Sequence, residues 1–130
     1  MKNLFHLHLL VKCHVKNPPK SENATTQWLR ELVSDINMKI CIEPRACYVD
    51  APGNRGVTAQ VGIETSHVAI HVWDETDPGM IQMDVYSCSC FEPETVLKKL
   101  NEFGLVDYEM MVIDRNEGFS VKRHEKVSLP

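Results

Sequence analysis

At 130 residues and a formal charge of −4, the chain has the size of one domain with its own core (1–130). It carries no basic run that would hold a phosphate backbone, which argues against nucleic acid as a main partner. The 43% hydrophobic composition is that of an ordinary globular protein, and no stretch is long enough to cross a membrane.

The apolar start is broken by His6, His8, Lys12 and His14, so it is not a signal peptide. The five cysteines (Cys13, Cys41, Cys47, Cys88 and Cys90) are an odd number, which argues against a disulfide framework. Together these features predict a cytoplasmic protein.

Leu4 to Val11 alternates apolar and polar residues, the period of a strand. Asn17-Pro18-Pro19-Lys20-Ser21 reads as a loop. Ala24 to Ile36 predicts a helix, with Trp28, Leu29, Leu32, Val33 and Ile36 at helical spacing and Asn23 as its cap. Lys39 to Cys47 reads as a strand interrupted by Pro44, hence an edge or bulged one. Asp50 to Gly56 is turn-rich.

Val57 to Thr65 predicts the next strand, and a sharp break falls at Thr65-Ser66. Beyond it, Val68, Ile70 and Val72 alternate with His67, Ala69, His71 and Trp73. A turn at Thr76–Gly79 makes Met80 to Cys88 an antiparallel partner of that strand. Pro93 to Phe103 predicts a second helix ended by Gly104. Tyr108 to Asp114 is a last strand, and 115–130 reads as a polar, mobile tail with room for a short strand near Phe119–Val121.

The order β-α-β-β-β-β-α-β predicts an α+β fold: an antiparallel sheet with two helices on one face. The other face would carry His8, Leu10, His71 and Trp73, a mixture suited to burial against a second copy of the same sheet.

Three chemistries are open to these residues. Ser66 at a break, His67 and His71 on a rigid strand and an acid just beyond make one plausible site. His6-x-His8 and Cys88-x-Cys90 put ligand-type side chains on strand faces, but neither has the spacing of a zinc site, and no metal is expected. Cys88 ends the strand paired with the central one, within reach of His71 or Ser66 as nucleophile or proton donor; its plain alternative is a small buried hydrophobe.

The motifs resemble those of the short prokaryotic S-adenosylmethionine decarboxylase proenzymes. That family shows Glu-Ser-His, a histidine five residues after the serine, Trp-Pro-Glu, and an Asp-Val-Phe-Thr-Cys strand. Here the corresponding residues are Ser66-His67, His71, Trp73-Asp74-Glu75 and Asp84-Val85-Tyr86-Ser87-Cys88. Gly56-Val57-Thr58 is similar to the family's Gly-Val-Ser/Thr, and Leu7-His8-Leu9 to its opening strand.

The resemblance implies a two-layer α/β sandwich that pairs sheet to sheet in a homodimer, with sites at the interface. It implies self-cleavage between Thr65 and Ser66, assisted by Thr58 and His71, leaving a pyruvoyl group derived from Ser66. That group forms a Schiff base with the substrate amine and acts as an electron sink. The implied substrate is S-adenosylmethionine, decarboxylated for spermidine biosynthesis. Cys88 takes the place of the proton donor and Glu75 that of the acid on the ribose hydroxyls; Tyr48 and Leu7 are further substrate-binding candidates.

Thr65 stands where the family has glutamate, and Trp-Asp-Glu replaces Trp-Pro-Glu. The family's Phe-x-Pro-Gln-Gly loop is replaced by Tyr48 to Gly56. The altered loop keeps open a decarboxylase of arginine or ornithine on the same scaffold. Thr65 keeps open a non-cleaving relative that binds a partner.

Overall fold

Alternation of apolar and polar residues builds one antiparallel sheet of seven strands. The computed structural model describes residues 6–130; Leu4 and Phe5, expected in the first strand, lie outside them. The elements are β1 (Leu7–Val15), α1 (Glu22–Asp35), β2 (Ile40–Val49), β3 (Gly56–Ile63), β4 (Ser66–Trp73), β5 (Gly79–Ser87), α2 (Pro93–Leu100), β6 (Leu105–Asp114) and β7 (Ser120–Ser128). The strands lie in the order β2-β3-β4-β5-β1-β6-β7. Both helices cover one face, giving the expected α+β two-layer arrangement.

The covered face carries the alternate apolar residues of each central strand: Leu9 and Val11, Ala59 and Val61, Val68 and Ile70, Met83 and Val85, Met110 and Val112. They pack against Trp28, Leu29 and Leu32 of α1 and Val96 and Leu100 of α2. The helices are tied to each other: the Trp28 indole N–H donates to the Lys99 carbonyl at 3.3 Å, and the buried Lys99 ammonium bridges Glu31 and Glu102.

The other face of the sheet is open. It shows His8, Leu10 and Lys12 from β1, His67, Ala69 and His71 from β4, and Gln82, Asp84 and Tyr86 from β5.

Several boundaries differ from the sequence expectation. The cap of α1 is Ser21, not Asn23: its Oγ accepts the Ala24 N–H at 3.0 Å, and the helix starts at Glu22. β1 runs on to Val15 because Cys13 and Val15 continue the buried alternation. β2 is an edge strand with irregular register before Arg45, as Pro44 requires. α2 ends at Leu100 in a 3-10 turn over Asn101–Phe103, and Gly104 closes it at φ +77°.

The tail is the main correction. Residues Ser120–Ser128 form β7, paired along β6 from Asp107 to Asp114. The strand is polar because neither of its faces is fully covered. It is held by Arg123, which reaches Glu94 of α2 at 2.7 Å, and by His124, 2.6 Å from Glu109. Glu94 beside it pushes the Arg123 guanidinium above its ordinary range.

Truncation after Asn116 should therefore destabilise the domain by about 1–3 kcal/mol and leave the β6 edge free to associate. Urea unfolding and sedimentation check this; an unchanged midpoint would mark β7 as dispensable. A second expectation concerns Cys13, which burial, reinforced by Asp107, pushes up from 9.0 to about 12. A thiol raised only in the folded state contributes stability that is complete below pH 9.0 and is lost as pH rises toward about 12. Over that window the urea midpoint of the wild type should fall more steeply than that of Cys13→Ala.

Candidate active site

The eight residues singled out from sequence gather in two groups at opposite ends of β4. Leu7, Thr65, Ser66 and Cys88 meet at its start. Tyr48, Thr58, His71 and Glu75 lie toward its end.

At the start, Ser66 is the first residue of β4, paired with Ile63 of β3 and Ser87 of β5. Its φ is +153°, a region that side chains other than glycine rarely adopt and that costs of order 1–3 kcal/mol. The carbonyl of Thr65, which is the peptide bond into Ser66, accepts the backbone N–H of Cys88 at 2.9 Å. The Thr65 hydroxyl points into the protein, where it meets the Ser87 hydroxyl at 3.0 Å and the Met38 thioether at 3.2 Å. Cys88 is half-buried on the bend after β5. Leu7 pairs with Ser87 and packs against the core. Ser66 borders a hollow of about 240 Å³ on the open face, with Gln60, Gly62, His67 and Ala69.

At the other end, Thr58 and His71 face each other across β3 and β4, with Thr58 Oγ1 3.3 Å from His71 Nδ1. Glu75 is taken by Arg55, accepting its backbone N–H at 3.1 Å and its guanidinium at 3.3 Å. Arg55 also donates to Asp50 at 2.6 Å. The Tyr48 hydroxyl donates to Asp74 at 2.9 Å, and that carboxylate pushes the phenol above its ordinary range. The Tyr48 ring packs against the core rather than standing on the open face. The Trp73 indole N–H donates to Asn54 at 2.8 Å. The loop from Asp50 to Gly56 is thus pinned to Trp73-Asp74-Glu75.

His71 stands five positions after Ser66 on one extended strand, a distance of roughly 16 Å. Within one chain the His71 imidazole does not reach the Thr65–Ser66 bond. Between the two ends, a hollow of about 350 Å³ crosses the middle of the open face past His8, Leu10, Gln82 and Met111 to His71.

Sequence reasoning missed two features here. One is a set of backbone and buried hydroxyl partners around Thr65, which side-chain patterning does not register. The other is the grouping around Asp84, whose Oδ2 lies 2.8 Å from His8 Nε2 and 2.9 Å from His67 Nε2. These ligand-type atoms lie within 4.8 Å of one another. Arg115 stands against the far nitrogen of His8, 3.3 Å from Nδ1, with its guanidinium 4.0 Å over the Tyr86 ring. A donor there makes Nδ1 an acceptor and puts the His8 proton on Nε2, facing Asp84. That is the arrangement of a hydrogen-bonded hub; a metal-bound imidazole would instead donate from Nδ1 to an acceptor.

Comparison with known proteins gives the chain a family. The family model described as S-adenosylmethionine decarboxylase matches residues 8–116. The chain belongs to the S-adenosylmethionine decarboxylase family. With membership comes that family's activity, pyruvoyl-dependent decarboxylation of S-adenosylmethionine for polyamine biosynthesis.

Among solved structures, the adenosylmethionine decarboxylase from Aquifex aeolicus VF5 matches with a TM-score of 0.66 at 18% identity, over 95% of this chain and 99% of that one. A phage SAM lyase in complex with S-methyl-5'-thioadenosine gives a TM-score of 0.41 at 9% identity, over 99% of this chain and 92% of that one. No curated protein matches the chain. The first structure supports the shared fold, and the family assignment rests on the matched family model. The family model's match ends at residue 116, before β7 begins at Ser120.

Proposed function

We propose that the chain is a proenzyme that cuts itself between Thr65 and Ser66, and that the pyruvoyl group left at Ser66 serves its decarboxylation of S-adenosylmethionine. One observation carries this reading: the Cys88 N–H is already bonded to the Thr65 carbonyl, beside a serine held at φ +153°.

The chemistry follows from that arrangement. The Ser66 hydroxyl attacks the Thr65 carbonyl carbon; a C–O bond forms, the C–N bond breaks, and the freed amine takes up a proton. The charge that develops on the Thr65 oxygen falls on a donor fixed in advance. Loss of the Ser66 Cα proton then expels Thr65 as a carboxylate. Water replaces the Ser66 nitrogen, which leaves as ammonia. A strained serine favours the step, because breaking the bond into it releases the strain. The resulting pyruvoyl group supplies an electron sink for decarboxylation. Cys88, on the adjoining bend, returns a proton to the substrate carbon after carbon dioxide leaves.

The proton-transfer groups for self-cleavage are the partner's. We assign the working unit to a homodimer in which two open faces pack together about a twofold axis. Such packing can set the start of β4 in one chain against the end of β4 in the other. The partner's His71 and the partner's Thr58 then serve Ser66, and the partner's Glu75 borders the substrate. Apolar Leu10, 39% exposed, and Met111 sit in the middle of the face this pairing covers.

Intact mass of the purified protein tests the first step. Two fragments are expected, 1–65 and 66–130, the second lighter by one ammonia than simple hydrolysis gives. Ser66→Ala should stay whole. Cys88→Ala should still be cut, since its N–H remains, but should lose turnover of S-adenosylmethionine by roughly 100-fold; unchanged turnover would remove Cys88 from the mechanism. Release of carbon dioxide from arginine or ornithine, with none from S-adenosylmethionine, would overturn the substrate.

Mixing tests the interface. His71→Ala alone should remain uncut. Co-expressed with Ser66→Ala, the His71→Ala chain should be cut, because its partner supplies an intact His71. Failure of the mixed dimer to cleave would return His71 to its own chain.

A further inference from the structure

We propose that Ser87 is a positioning residue for cleavage of the Thr65–Ser66 bond, a role that rests on the self-cleavage reading above. Ser87 is fully buried, at 0% exposure, in the last position of β5. A hydroxyl in such a place requires partners, and the two nearest belong to the segments that form the cleavage site, with the Met38 sulfur farther off at 3.8 Å.

Ser87 Oγ accepts the Ser89 N–H at 3.0 Å and donates to Thr65 Oγ1 at 3.0 Å. The Thr65 hydroxyl in turn donates to the Met38 sulfur at 3.2 Å. The order Ser89 N–H, Ser87, Thr65, Met38 uses each hydroxyl once as acceptor and once as donor, so each bond polarises the next. The ends of this chain lie on different parts of the fold. Ser89 is on the bend that carries Cys88, and Met38 follows α1, with its N–H on the Val33 carbonyl at 3.0 Å.

The Thr65 carbonyl and the Cys88 N–H therefore stand in register for a structural reason. Ser87 grips the side chain of the residue before the scissile bond and the backbone beyond Cys88. It also pairs with Ser66 along the sheet. A positive φ in a non-glycine residue persists only where its surroundings over-determine it, and at Ser66 this buried hydroxyl is the constraint on the upstream side. The assignment also gives a reason for threonine at position 65. Its short hydroxyl meets Ser87 directly, inside the protein, where a longer carboxylate would need a different seat.

The test follows cleavage of freshly synthesised full-length chain by intact mass over time, in the wild type, Ser87→Ala, Ser87→Thr, Thr65→Val and the double variant Ser87→Ala with Thr65→Val. Ser87→Ala should slow cleavage roughly tenfold, the scale of one or two lost hydrogen bonds. Ser87→Thr, which keeps the hydroxyl, should restore the rate to within about threefold. Thr65→Val should slow cleavage comparably, and the double variant should be no slower than Ser87→Ala, because both remove one interaction.

Cleavage of Ser87→Ala at the wild-type rate, or single effects that multiply in the double variant, would overturn the role of Ser87 while leaving self-cleavage standing. A wild-type chain that stays whole would overturn the self-cleavage reading, and the role of Ser87 with it. If Ser87→Ala does not fold by circular dichroism, Thr65→Val decides: wild-type cleavage there overturns the proposal.

Discussion

A strand turns only every second side chain to a given face, and this constraint organises the molecule. The helices cover one face, so Val68, Ile70 and Val72 of β4 are committed to the core. His67, Ala69 and His71 are left on the open face together with His8, Asp84 and Tyr86 from neighbouring strands. The same geometry keeps the two ends of β4 apart. Ser66 and the Thr65 carbonyl are at one end, and the Thr58–His71 pair is at the other. A rigid strand cannot fold back to bring them together, and on the proposed reading a partner chain supplies the second end.

Local geometry explains the motifs better than their residue types do. Gly56 is the clearest case: a Cβ there would stand 1.7 Å from the Val72 carbonyl oxygen. The glycine lets β3 close on β4, and that closure sets Thr58 opposite His71. Trp73, Asp74 and Glu75 likewise act as anchors for the preceding loop, through Asn54, Tyr48 and Arg55 respectively. The loop that departs from the family's sequence is thereby fixed against Trp73 and Glu75, which retain it, and against Asp74, which does not. Tyr48, just before the loop, turns its ring to the core and its hydroxyl to Asp74.

What was legible in the sequence was whatever is repeated by period. The strands of the sheet centre, both helices and the break before Ser66 all follow from apolar alternation or helical spacing. β7 escaped because an edge strand with no fully buried face has no apolar stripe; its signals were Arg123 and His124, whose partners Glu94 and Glu109 are far away in sequence. The cap at Ser21 was displaced by Asn23, a residue of equal capping power two positions later. In the site, motif resemblance pointed to Ser66, Thr58 and His71. It did not find the Cys88 N–H on the Thr65 carbonyl, since a backbone donor has no residue type.

The two groups at the ends of β4 also separate two kinds of work. The start of the strand holds everything that positions the bond: the strained serine, the carbonyl donor and the buried hydroxyls behind Thr65. The Thr58–His71 pair lies at the far end. On the proposed reading, folding of a single chain poises the bond without cutting it, and pairing of two open faces delivers the imidazole. Cleavage then follows assembly, so a pyruvoyl group would form only in a chain whose substrate site is already built from two copies. The strain at Ser66 must be held until that moment, and an interior network within one chain suits that task better than contacts made across the interface itself.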